Sequence, residues 1–294
     1  MNATSRFGVP SRDALVADAV AVGRRLGLTV DDPVVLKESL NVLVWLRPAP
    51  VVARVQARTA IVREPEASAD SVALAQFLVD AGIAVSPPAD DIDPGPHVGA
   101  TGRPMTLWRH LEVRDEPVDG AEAGRALRAL HGAAAGFPGQ LRHVGPVEEI
   151  GRLVDVIQPH RPGEAGRLLE LREAAIRRLP ARPIQPIHGD AHLGNVVMTA
   201  RGLCWMDLEE SWRGPIAWDI ACLEHRQRVF GHAGPETDAA LAGSAPHDGI
   251  AVDAWASVVA LWAAAWGFLG EAEGLDWGDL ARARLAWAEE RLSG

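Results

Sequence analysis

The stretch IHGDAHLGN, residues 187–195, places two histidines, an aspartate and an asparagine between two apolar segments. The turn signal TARG and the segment LCWMDLEE follow it, which predicts a loop and then two strands joined by a tight turn, with Asp207 at the end of the second strand. Because a hairpin brings its two ends together, Asp190, Asn195 and Asp207 are expected to converge. Such oxygen ligands suit Mg²⁺, which prefers carboxylates, a few waters and phosphate oxygens. A carboxylate left off the metal can accept a proton from a hydroxyl group.

The elements that must position these residues differ between the two parts of the chain. SRDALVADAVAVGRRLGL predicts an amphipathic helix capped by Ser11 and ending near Gly27, and SADSVALAQFLVDAG predicts a second helix that stops at Gly82. Between them, VVLKESLNVLVWLRPAPVVARVQ predicts antiparallel hairpins. Helical patterns dominate after the Pro- and Gly-rich stretch SPPADDIDPGPHVGATGRP, which marks a lobe boundary. We therefore predict a small β-rich lobe over residues 1–104 and a larger helical lobe over residues 105–294.

Composition and charge narrow the classes of function. With 294 residues, 48% of them apolar, the chain can bury a sizeable core. No apolar run has the length of a membrane span, the longest candidate being Val258–Leu269, and two cysteines are too few for a disulfide framework. The N-terminus has no apolar signal core, so we expect a soluble cytoplasmic protein with no membrane partner. The net charge of −10 argues against nucleic acid as a partner, since phosphate binding needs a basic surface.

HGDAHLGN followed by WMDLEE resembles the catalytic loop and the metal-binding segment of the aminoglycoside phosphotransferase and choline kinase superfamily. Protein kinases share this arrangement as H-R-D-x-x-x-x-N and D-F-G, and the spacing from Asp190 to Asn195 is the same. RGPIAWDIACLEH is similar to the family's segment after the metal site, and MTLWRHL is similar to its hinge between the lobes. The resemblance implies an α+β, bilobal protein-kinase-like fold and the transfer of a phosphoryl group from ATP or GTP to an alcohol.

The resemblance also implies a role for each residue of the motifs. Asp190 is expected to act as the base or the orienting group for the acceptor hydroxyl, while Asn195 and Asp207 are expected to hold Mg²⁺ on the β- and γ-phosphates. Arg54, in VVARV, occupies the place of the phosphate-anchoring lysine, and Lys37, the one lysine in the chain, is its rival. The remaining expectations are structural roles for His188 and Asp219, and nucleotide contacts from Ser39, Asn41, Thr106 and Trp108.

Three departures from the family's pattern bear on these roles. The turn ESLN has no glycine, so Ser39, Leu40 and Asn41 have to offer phosphate donors in place of a glycine-rich loop. The helix that follows VVARV has no glutamate at its centre to pair with the phosphate anchor. Glu209 stands where D-F-G has its glycine, and with Glu210 it forms either a solvated pair or a set of contacts to the metal or the acceptor.

Two further patterns have structural explanations that compete with functional ones. His192 is interpreted as a hydrogen-bonded loop histidine in preference to a phosphate contact. Trp255, Trp262 and Trp266 recur at helical spacing, which is more typical of a core-facing stripe than of a ligand cage. Neither pattern is assigned to the site on sequence grounds.

These observations predict a Mg²⁺-dependent small-molecule O-phosphotransferase that uses ATP or GTP. The favoured acceptor is a cationic, hydroxyl-bearing antibiotic of the aminoglycoside type, because residues 105–294 carry a net charge of −8. An acidic surface that serves solubility alone is the competing explanation of that charge. Three other functions stay open: a metabolic kinase of a choline-like alcohol, sugar or amino alcohol, a non-catalytic nucleotide-binding protein, and a purely structural binding module.

Overall fold

A computed structural model describes residues 5–232 and 234–293, and the N-terminal part of this range is an antiparallel sheet with two helices. Within the described residues the sheet has five strands, in the order β1-β2-β3-β5-β4. The elements of this part are helices α1 (Arg12–Arg25) and α2 (Glu66–Asp80) and strands β1 (Val34–Glu38), β2 (Asn41–Trp45), β3 (Val51–Gln56), β4 (His97–Val98) and β5 (Pro104–Arg109). The hairpins expected from the sequence are therefore present.

The three central strands bury apolar residues against α1. Val44, Ala53 and Leu107, one from each of these strands, are fully buried. Helix α1 starts after Ser11, whose hydroxyl oxygen accepts a hydrogen bond from the amide of Ala14 at 3.3 Å, as the capping pattern predicts. The sheet and α1 together give a firm support to β3, the strand that carries the predicted phosphate anchor.

The C-terminal part is mainly helical. Its short strands pair in two small groups, β6-β8-β9 and β7-β10. The elements are helices α3 (Gly120–Ala134), α4 (Pro146–Ile157), α5 (Pro162–Ile176), α6 (Ile216–Phe230), α7 (Pro235–Ser244), α8 (Gly249–Ala272) and α9 (Gly278–Leu292), and strands β6 (Val113–Arg114), β7 (Gln185–Pro186), β8 (Val196–Thr199), β9 (Gly202–Trp205) and β10 (Arg213–Gly214). A β-rich part followed by a helical part confirms the predicted α+β class.

Helix α8 forms the centre of the helical lobe. Its 24 residues are enough, by length and composition, to cross a membrane, but 78% of its most apolar window is buried inside the protein. Trp255 and Trp266 on this helix are buried, as the stripe of tryptophans predicts. The apolar sequence therefore builds a protein core, and the helix extends beyond the apolar run Val258–Leu269 in both directions.

Strand β5 belongs to the N-terminal sheet, so the N-terminal lobe extends at least to the end of this strand. It pairs with β3 from Val51 and Arg109 at one end to Val55 and Met105 at the other. A boundary between residues 104 and 105, as the sequence predicts, falls inside this strand. We therefore propose that the N-terminal lobe ends after Arg109, where the chain leaves the sheet.

Candidate active site between the lobes

Asp219, near the start of α6, holds the loop that contains Asp190. Its two carboxylate oxygens accept hydrogen bonds from the amide nitrogens of His188 (2.9 Å) and Gly189 (2.8 Å). The ring of His131 on α3 lies 2.7 Å from the same carboxylate through Nε2, and Asp219 is completely buried. Because this carboxylate is fully used inside the protein, it supports the loop and does not face a substrate, which is consistent with the structural role expected of it.

Gly189 allows the loop to pass close to the segment after Asp207. Its φ angle is 90°, in the left-handed region that favours glycine, and a Cβ at this position would lie 1.9 Å from the carbonyl oxygen of Glu210. The indole nitrogen of Trp218 donates a hydrogen bond of 2.7 Å to the carbonyl oxygen of Gly189. Any larger residue would push the two segments apart.

His188 joins the same loop to the residue before Asp207. Its Nδ1 accepts a hydrogen bond from the amide of Asp190 at 3.3 Å, and its Nε2 donates to the carbonyl oxygen of Met206 at 2.9 Å. Burial lowers the pKa of this imidazole, although nearby carboxylates such as Asp219 act in the opposite direction. A neutral ring with its proton on Nε2 satisfies both hydrogen bonds. His188 therefore fixes the loop relative to the metal segment.

Asp190 is held as an ionised carboxylate. Asn195 Nδ2 donates to its carbonyl oxygen at 2.9 Å and to its Oδ2 at 3.2 Å, and His192 Nε2 lies 3.5 Å from Oδ2. Burial alone would raise the pKa of this carboxyl, but the attraction of His192 and His188 and the bond from Asn195 lower the pKa to about 2. A carboxylate with so low a pKa is a weak base, so orienting a hydroxyl group is its stronger contribution. His192 contacts Asp190, in line with its interpretation as a loop histidine.

The β8–β9 hairpin brings Asn195 and Asp207 to the same end. The two strands pair along their whole length, and the amide of Met206 donates to the carbonyl oxygen of Asn195 at 2.7 Å. The structure corrects the sequence expectation in one respect, because β9 ends two residues before Asp207. Asp207 itself adopts the left-handed conformation, with φ 70° and ψ 56°, which aspartate tolerates better than most residues.

The oxygen atoms of Asn195 and Asp207, at this end of the hairpin, are suitable ligands for Mg²⁺. Asn195 uses its amide nitrogen on Asp190, and its side-chain oxygen accepts no hydrogen bond from the part of the chain that the structure describes. Asp207 Oδ1 is buried and also lacks a hydrogen-bond donor among the described residues, although Arg54 Nη1 lies 2.6 Å away in an ion pair. Carboxamide and carboxylate oxygens are ligands that Mg²⁺ prefers, so the two expected ligands keep donor atoms for it.

Arg54 on β3 reaches the metal segment from the other lobe. Its guanidinium forms ion pairs with Asp207 and Glu209, and its side chain is 13% exposed. Burial opposes the charge of this guanidinium, but the two carboxylates raise its pKa, so the group stays charged. Lys37, by contrast, lies exposed on β1, an edge strand of the sheet. Of the two candidates for the phosphate anchor, Arg54 is the one that lies at the site.

Glu209 lies against the guanidinium of Arg54. It also accepts hydrogen bonds from Asn41 Nδ2 at 2.6 and 2.9 Å. The Asn41 oxygen in turn accepts from the Ala57 amide (3.2 Å) and the Thr59 hydroxyl (2.7 Å). The side chains of Asn41 and Glu209 are therefore both engaged within the protein, which argues against the phosphate contact expected of Asn41 and the acceptor contact expected of Glu209. Glu209 instead supplies the carboxylate partner that α2 lacks.

Glu210 is buried in a network of charged residues. Arg63 donates to it at 2.5 and 2.7 Å, and donates to Glu149 on α4 at 2.6 and 3.1 Å. Burial raises the pKa of Glu210 to about 8, and Arg63 offsets this only in part. At Glu149 burial also raises the pKa, but the charges and hydrogen bonds of Arg63 and His143 together outweigh burial and hold the pKa well below the usual range. The indole nitrogens of Trp262 and Trp266 donate to Glu149 Oε2 at 2.6 and 3.1 Å. Glu210 is therefore buried and paired with Arg63, which argues against the acceptor contact expected of it.

A cleft of about 540 Å³ lies between the β-sheet and the metal segment. Its lining includes Leu43, Val52, Arg54, Trp108, His110, Asp207 and Leu208. Trp108 lines the cleft, as expected of a nucleotide contact. Thr106 is buried instead, and its hydroxyl accepts a hydrogen bond from Trp108 Nε1 at 2.8 Å, so it orients that indole. Ser39 is not part of the cleft lining, and its carbonyl oxygen accepts from Arg58 at 2.6 Å.

A second cavity, of about 320 Å³, contains Asp190. Its lining also includes Leu40, His192, His225, Arg226, Trp262, Trp266, Trp277, Leu280 and Arg284. Among the described residues that line it, Asp190 is the one carboxylate. The acidic lining expected for a cationic acceptor is therefore not present in this cavity, and the negative charge of the helical lobe lies elsewhere.

Sequence reasoning missed Arg226 and Arg284. Arg226 lies seven residues after Asp219 on α6, and this spacing places both residues on the same helix face, so the pattern contained a signal for it. Arg284 lies on α9, and it reaches the cavity through the packing of distant helices, for which the sequence pattern carries no local signal.

The two-lobed architecture is shared with solved structures of small-molecule kinases. The choline kinase LicA from Streptococcus pneumoniae aligns with a TM-score of 0.65 at 15% identity, covering 93% of this chain and 98% of that chain. The amicoumacin kinase hAmiN, in complex with AMP-PNP, Ca²⁺ and Ami, aligns with a TM-score of 0.69 at 11% identity, covering 95% of both chains. The GDP and kanamycin complex of APH(2")-IIia aligns with a TM-score of 0.61 at 13% identity, covering 94% and 99%. These likenesses confirm the protein-kinase-like fold.

The sequence itself identifies the family. A model of the phosphotransferase enzyme family, APH, matches residues 37–261, which include the loop of Asp190 and the metal segment of Asp207. The chain therefore belongs to the phosphotransferase enzyme family, and the resemblance seen in its motifs is confirmed. A search of curated protein sequences finds no match to the chain.

Proposed function

We propose that the protein transfers the γ-phosphoryl group of a nucleoside triphosphate, ATP or GTP, to a hydroxyl group of a small-molecule acceptor, with Mg²⁺ as cofactor. The observation that carries this proposal is the position of Asn195 between two carboxylates. The side-chain amide of Asn195 donates a hydrogen bond to Asp190, and its backbone carbonyl oxygen accepts one from the amide of Met206, the residue immediately before Asp207. One residue thus holds the acceptor-side and the metal-side carboxylates in a fixed relation, which positioning for phosphoryl transfer requires.

The nucleotide side of the site is built around Arg54. A guanidinium binds phosphate oxygens in bidentate geometry, and the carboxylates of Asp207 and Glu209 hold this one in place at the cleft. Trp108 and the aliphatic residues of the cleft offer an apolar surface to the nucleoside. Asn195 and Asp207 would hold Mg²⁺, which neutralises negative charge on the phosphates.

The acceptor side depends on Asp190. Its carboxylate would accept a hydrogen bond from the acceptor hydroxyl and direct the oxygen at the γ-phosphorus. A bond forms between this oxygen and the phosphorus, the bond from the γ-phosphorus to the β–γ bridging oxygen breaks, and the nucleoside diphosphate leaves. The hydroxyl proton passes to Asp190 and then to water. Because the pKa of Asp190 is lowered to about 2, the proton moves late, which a loose transition state permits.

The similar structures support a nucleotide and a small acceptor together. One holds AMP-PNP with Ami, and another holds GDP with kanamycin. On this ground an antibiotic-like acceptor, and with it a role in antibiotic resistance, stays within the proposal, although Asp190 is the one acidic side chain among the described residues that line the cavity and could bind the ammonium groups of a polycation. A choline-like alcohol is the second candidate, favoured by Trp262, Trp266 and Trp277, because indole faces attract quaternary ammonium groups. A cytoplasmic location, where nucleoside triphosphates are available, completes the proposal.

Turnover of ATP and of GTP, each with Mg²⁺, tests the proposal over a panel of aminoglycosides, peptide antibiotics, macrolides, amino alcohols and hydroxy acids. Phosphate transfer to at least one acceptor that is lost in Asp190→Asn supports it. Nucleotide binding without transfer to any acceptor would identify a non-catalytic nucleotide-binding protein. A thermal unfolding temperature that does not respond to ATP and Mg²⁺ would favour a structural binding module.

A further inference from the structure

Two arginines in the cavity that contains Asp190 lack carboxylate partners among the described residues. Arg226 on α6 is exposed and forms no ion pair within that part of the chain. Arg284 on α9 donates from Nε to His225 Nε2 at 3.2 Å, and its guanidinium lies 5.6 Å from the ring centre of Phe230. Burial and the charge of Arg284 lower the pKa of His225 to about 3, so His225 is neutral and does not balance the arginine.

Arginines close to these two on the same helices are paired. Arg228 on α6 lies 2.5 Å from Glu224 and 2.5 Å from Asp253. Arg282 on α9 lies 3.1 Å from Glu271. Within the described chain, Arg226 and Arg284 thus differ from these two neighbours in having no carboxylate within ion-pair distance. Arg226 and Arg284 repel each other across the cavity, and the attraction of Asp190, the one carboxylate among its described lining residues, acts on Arg284 in the opposite direction.

The rest of the cavity is apolar and compact. Trp262, Trp266 and Trp277 form much of its wall. Gly270 on α8 permits the close approach of Trp277, since a Cβ at this glycine would lie 2.1 Å from the indole ring. The volume of about 320 Å³ is at the lower end of ligand sites, which span roughly 300–1,000 Å³. A compact ligand with an apolar body fits this space better than an extended polycation.

We propose that the acceptor is a compact hydroxy acid, an inference that rests on the proposed phosphotransferase function. Its hydroxyl group faces Asp190, its carboxylate binds Arg226 and Arg284, and its apolar body lies against the indoles of the wall. Guanidinium groups match carboxylates in bidentate geometry, and the bound anion removes the repulsion between the two arginines. The reaction is the transfer already described, so it needs no reactant beyond the nucleoside triphosphate.

Three probes that share one skeleton test the charge of the acceptor. They are meta-(hydroxymethyl)benzoate, its carboxamide and meta-(hydroxymethyl)benzylamine, which place a negative, a neutral or a positive group at the same position. Binding to the full chain in the presence of AMP-PNP and Mg²⁺ is measured by titration calorimetry, and transfer from ATP by a coupled assay. We expect the carboxylate probe to bind about 10- to 100-fold more tightly than the carboxamide, which is the range for one or two charge-assisted hydrogen bonds. The benzylamine should bind most weakly.

Substitutions then test which side chains bind the carboxylate of the probe. Arg226→Gln and Arg284→Gln should each lower the preference for the carboxylate probe by about tenfold and leave the binding of the carboxamide unchanged. Arg125→Gln makes the same change of charge at an exposed position of α3, away from the cavity lining, and should have no effect. Arg226 is exposed, so its variant stays informative even if Arg284→Gln, which loses the contact with Phe230, fails to fold.

Several outcomes would overturn the proposal. Equal binding of the three probes, including no binding of any, refutes the hydroxy acid, and so does tighter binding of the benzylamine. A preference for the carboxylate that survives both substitutions refutes the role of the arginines. Nucleotide binding on the same samples keeps the two proposals apart: a protein that phosphorylates only neutral or cationic alcohols refutes the hydroxy acid alone, whereas failure to bind nucleotide or to phosphorylate any acceptor refutes the phosphotransferase function.

Discussion

Glu209 forms an ion pair with Arg54 across the two lobes, and it accepts two hydrogen bonds from Asn41 of the same sheet. The carboxylate partner of Arg54, the proposed phosphate anchor, thus comes from the segment after Asp207 and not from α2, where Asp70 pairs with Arg142 outside the site. One short segment therefore contains the proposed metal ligand Asp207 and contacts the proposed anchor Arg54, so a change in either residue is expected to disturb the other.

The first prediction concerns the phosphate anchor. Arg54→Ala should raise the Michaelis constant for the nucleotide and lower kcat/KM by about 10²-fold, because it removes the charged contact that we propose between this buried guanidinium and the phosphates. Lys37→Ala is the matched control, since Lys37 is exposed on an edge strand, and it should change both constants less than twofold. Steady-state kinetics with varied nucleotide decide the matter, and comparable damage in Lys37→Ala would transfer the role to that residue.

The second prediction separates the two carboxylates. Asp207→Ala should abolish Mg²⁺-dependent nucleotide binding and turnover, because it removes a proposed metal ligand. Asp190→Ala should leave nucleotide binding near normal and slow the chemical step by about 10²–10⁴-fold. Titration calorimetry with nucleotide and Mg²⁺, combined with turnover, distinguishes the two effects. If Asp190→Ala lost the nucleotide while Asp207→Ala retained it, the two roles would be exchanged.

The third prediction is a pH dependence of stability caused by Glu210. Its pKa is raised to about 8 by burial, so the folded protein binds this proton more tightly than the unfolded chain. The corresponding stability is fully present below the unfolded-state pKa, near 4.5, and is lost as pH rises toward 8. One such group changes the free energy of unfolding by at most about 1.4 kcal/mol per pH unit.

Glu210→Gln removes the titrating group and should flatten this decline. Urea unfolding of the wild type and the variant at several values between about pH 5 and pH 8 measures it. Glu38→Gln, at an exposed residue of β1, is the control and should keep the slope of the wild type. Equal slopes in the wild type and in Glu210→Gln would assign the pH dependence to other groups.

The fourth prediction concerns the contact between the catalytic loop and the metal segment. Gly189→Ala should lower the free energy of unfolding by roughly 2–5 kcal/mol, because its Cβ meets the backbone of Glu210 and its φ angle is unfavourable for alanine. Gly132→Ala, on an exposed face of α3 where a Cβ meets nothing within 4 Å, should instead stabilise the protein by about 0.5–1 kcal/mol. Chemical denaturation compares the two, and a neutral Gly189→Ala would show that the loop can move aside.

Local sequence patterns were enough to predict the parts of this site that depend on residues close together in the chain. The spacing from Asp190 to Asn195 and the turn between β8 and β9 predicted the loop, the hairpin and the convergence of its ends, and the capping pattern at Ser11 predicted the first helix. The left-handed conformation of Asp207 was missed, because alternation along a strand does not reveal where the strand stops.

Contacts between distant segments could not be predicted in the same way. The bond from Asn41 to Glu209 joins residues 168 positions apart, and the bonds from Arg63 to Glu149 and Glu210 span 86 and 147 positions. Periodicity within one element gives the face on which a residue lies but not the element that this face meets. The net charge of residues 105–294 is limited in the same way, since a sum over a lobe does not state which side chains line a cavity.

Trp262 and Trp266 each line the cavity and also donate a hydrogen bond to Glu149, and this limits how the range of acceptors can change in evolution or in the laboratory. Both indoles line the cavity while donating to the buried carboxylate of Glu149, so replacing either removes a donor from a buried charge, at a cost of about 1–3 kcal/mol. Trp277 and Leu280 line the same cavity from the chain around the start of α9, outside that network, and Leu280 is 49% exposed. Libraries that vary Trp277 and Leu280 should therefore yield many folded variants, whereas libraries that vary Trp262 and Trp266 should yield few. The selectivity of the cavity can thus change on its α9 side, while its α8 side is constrained by stability.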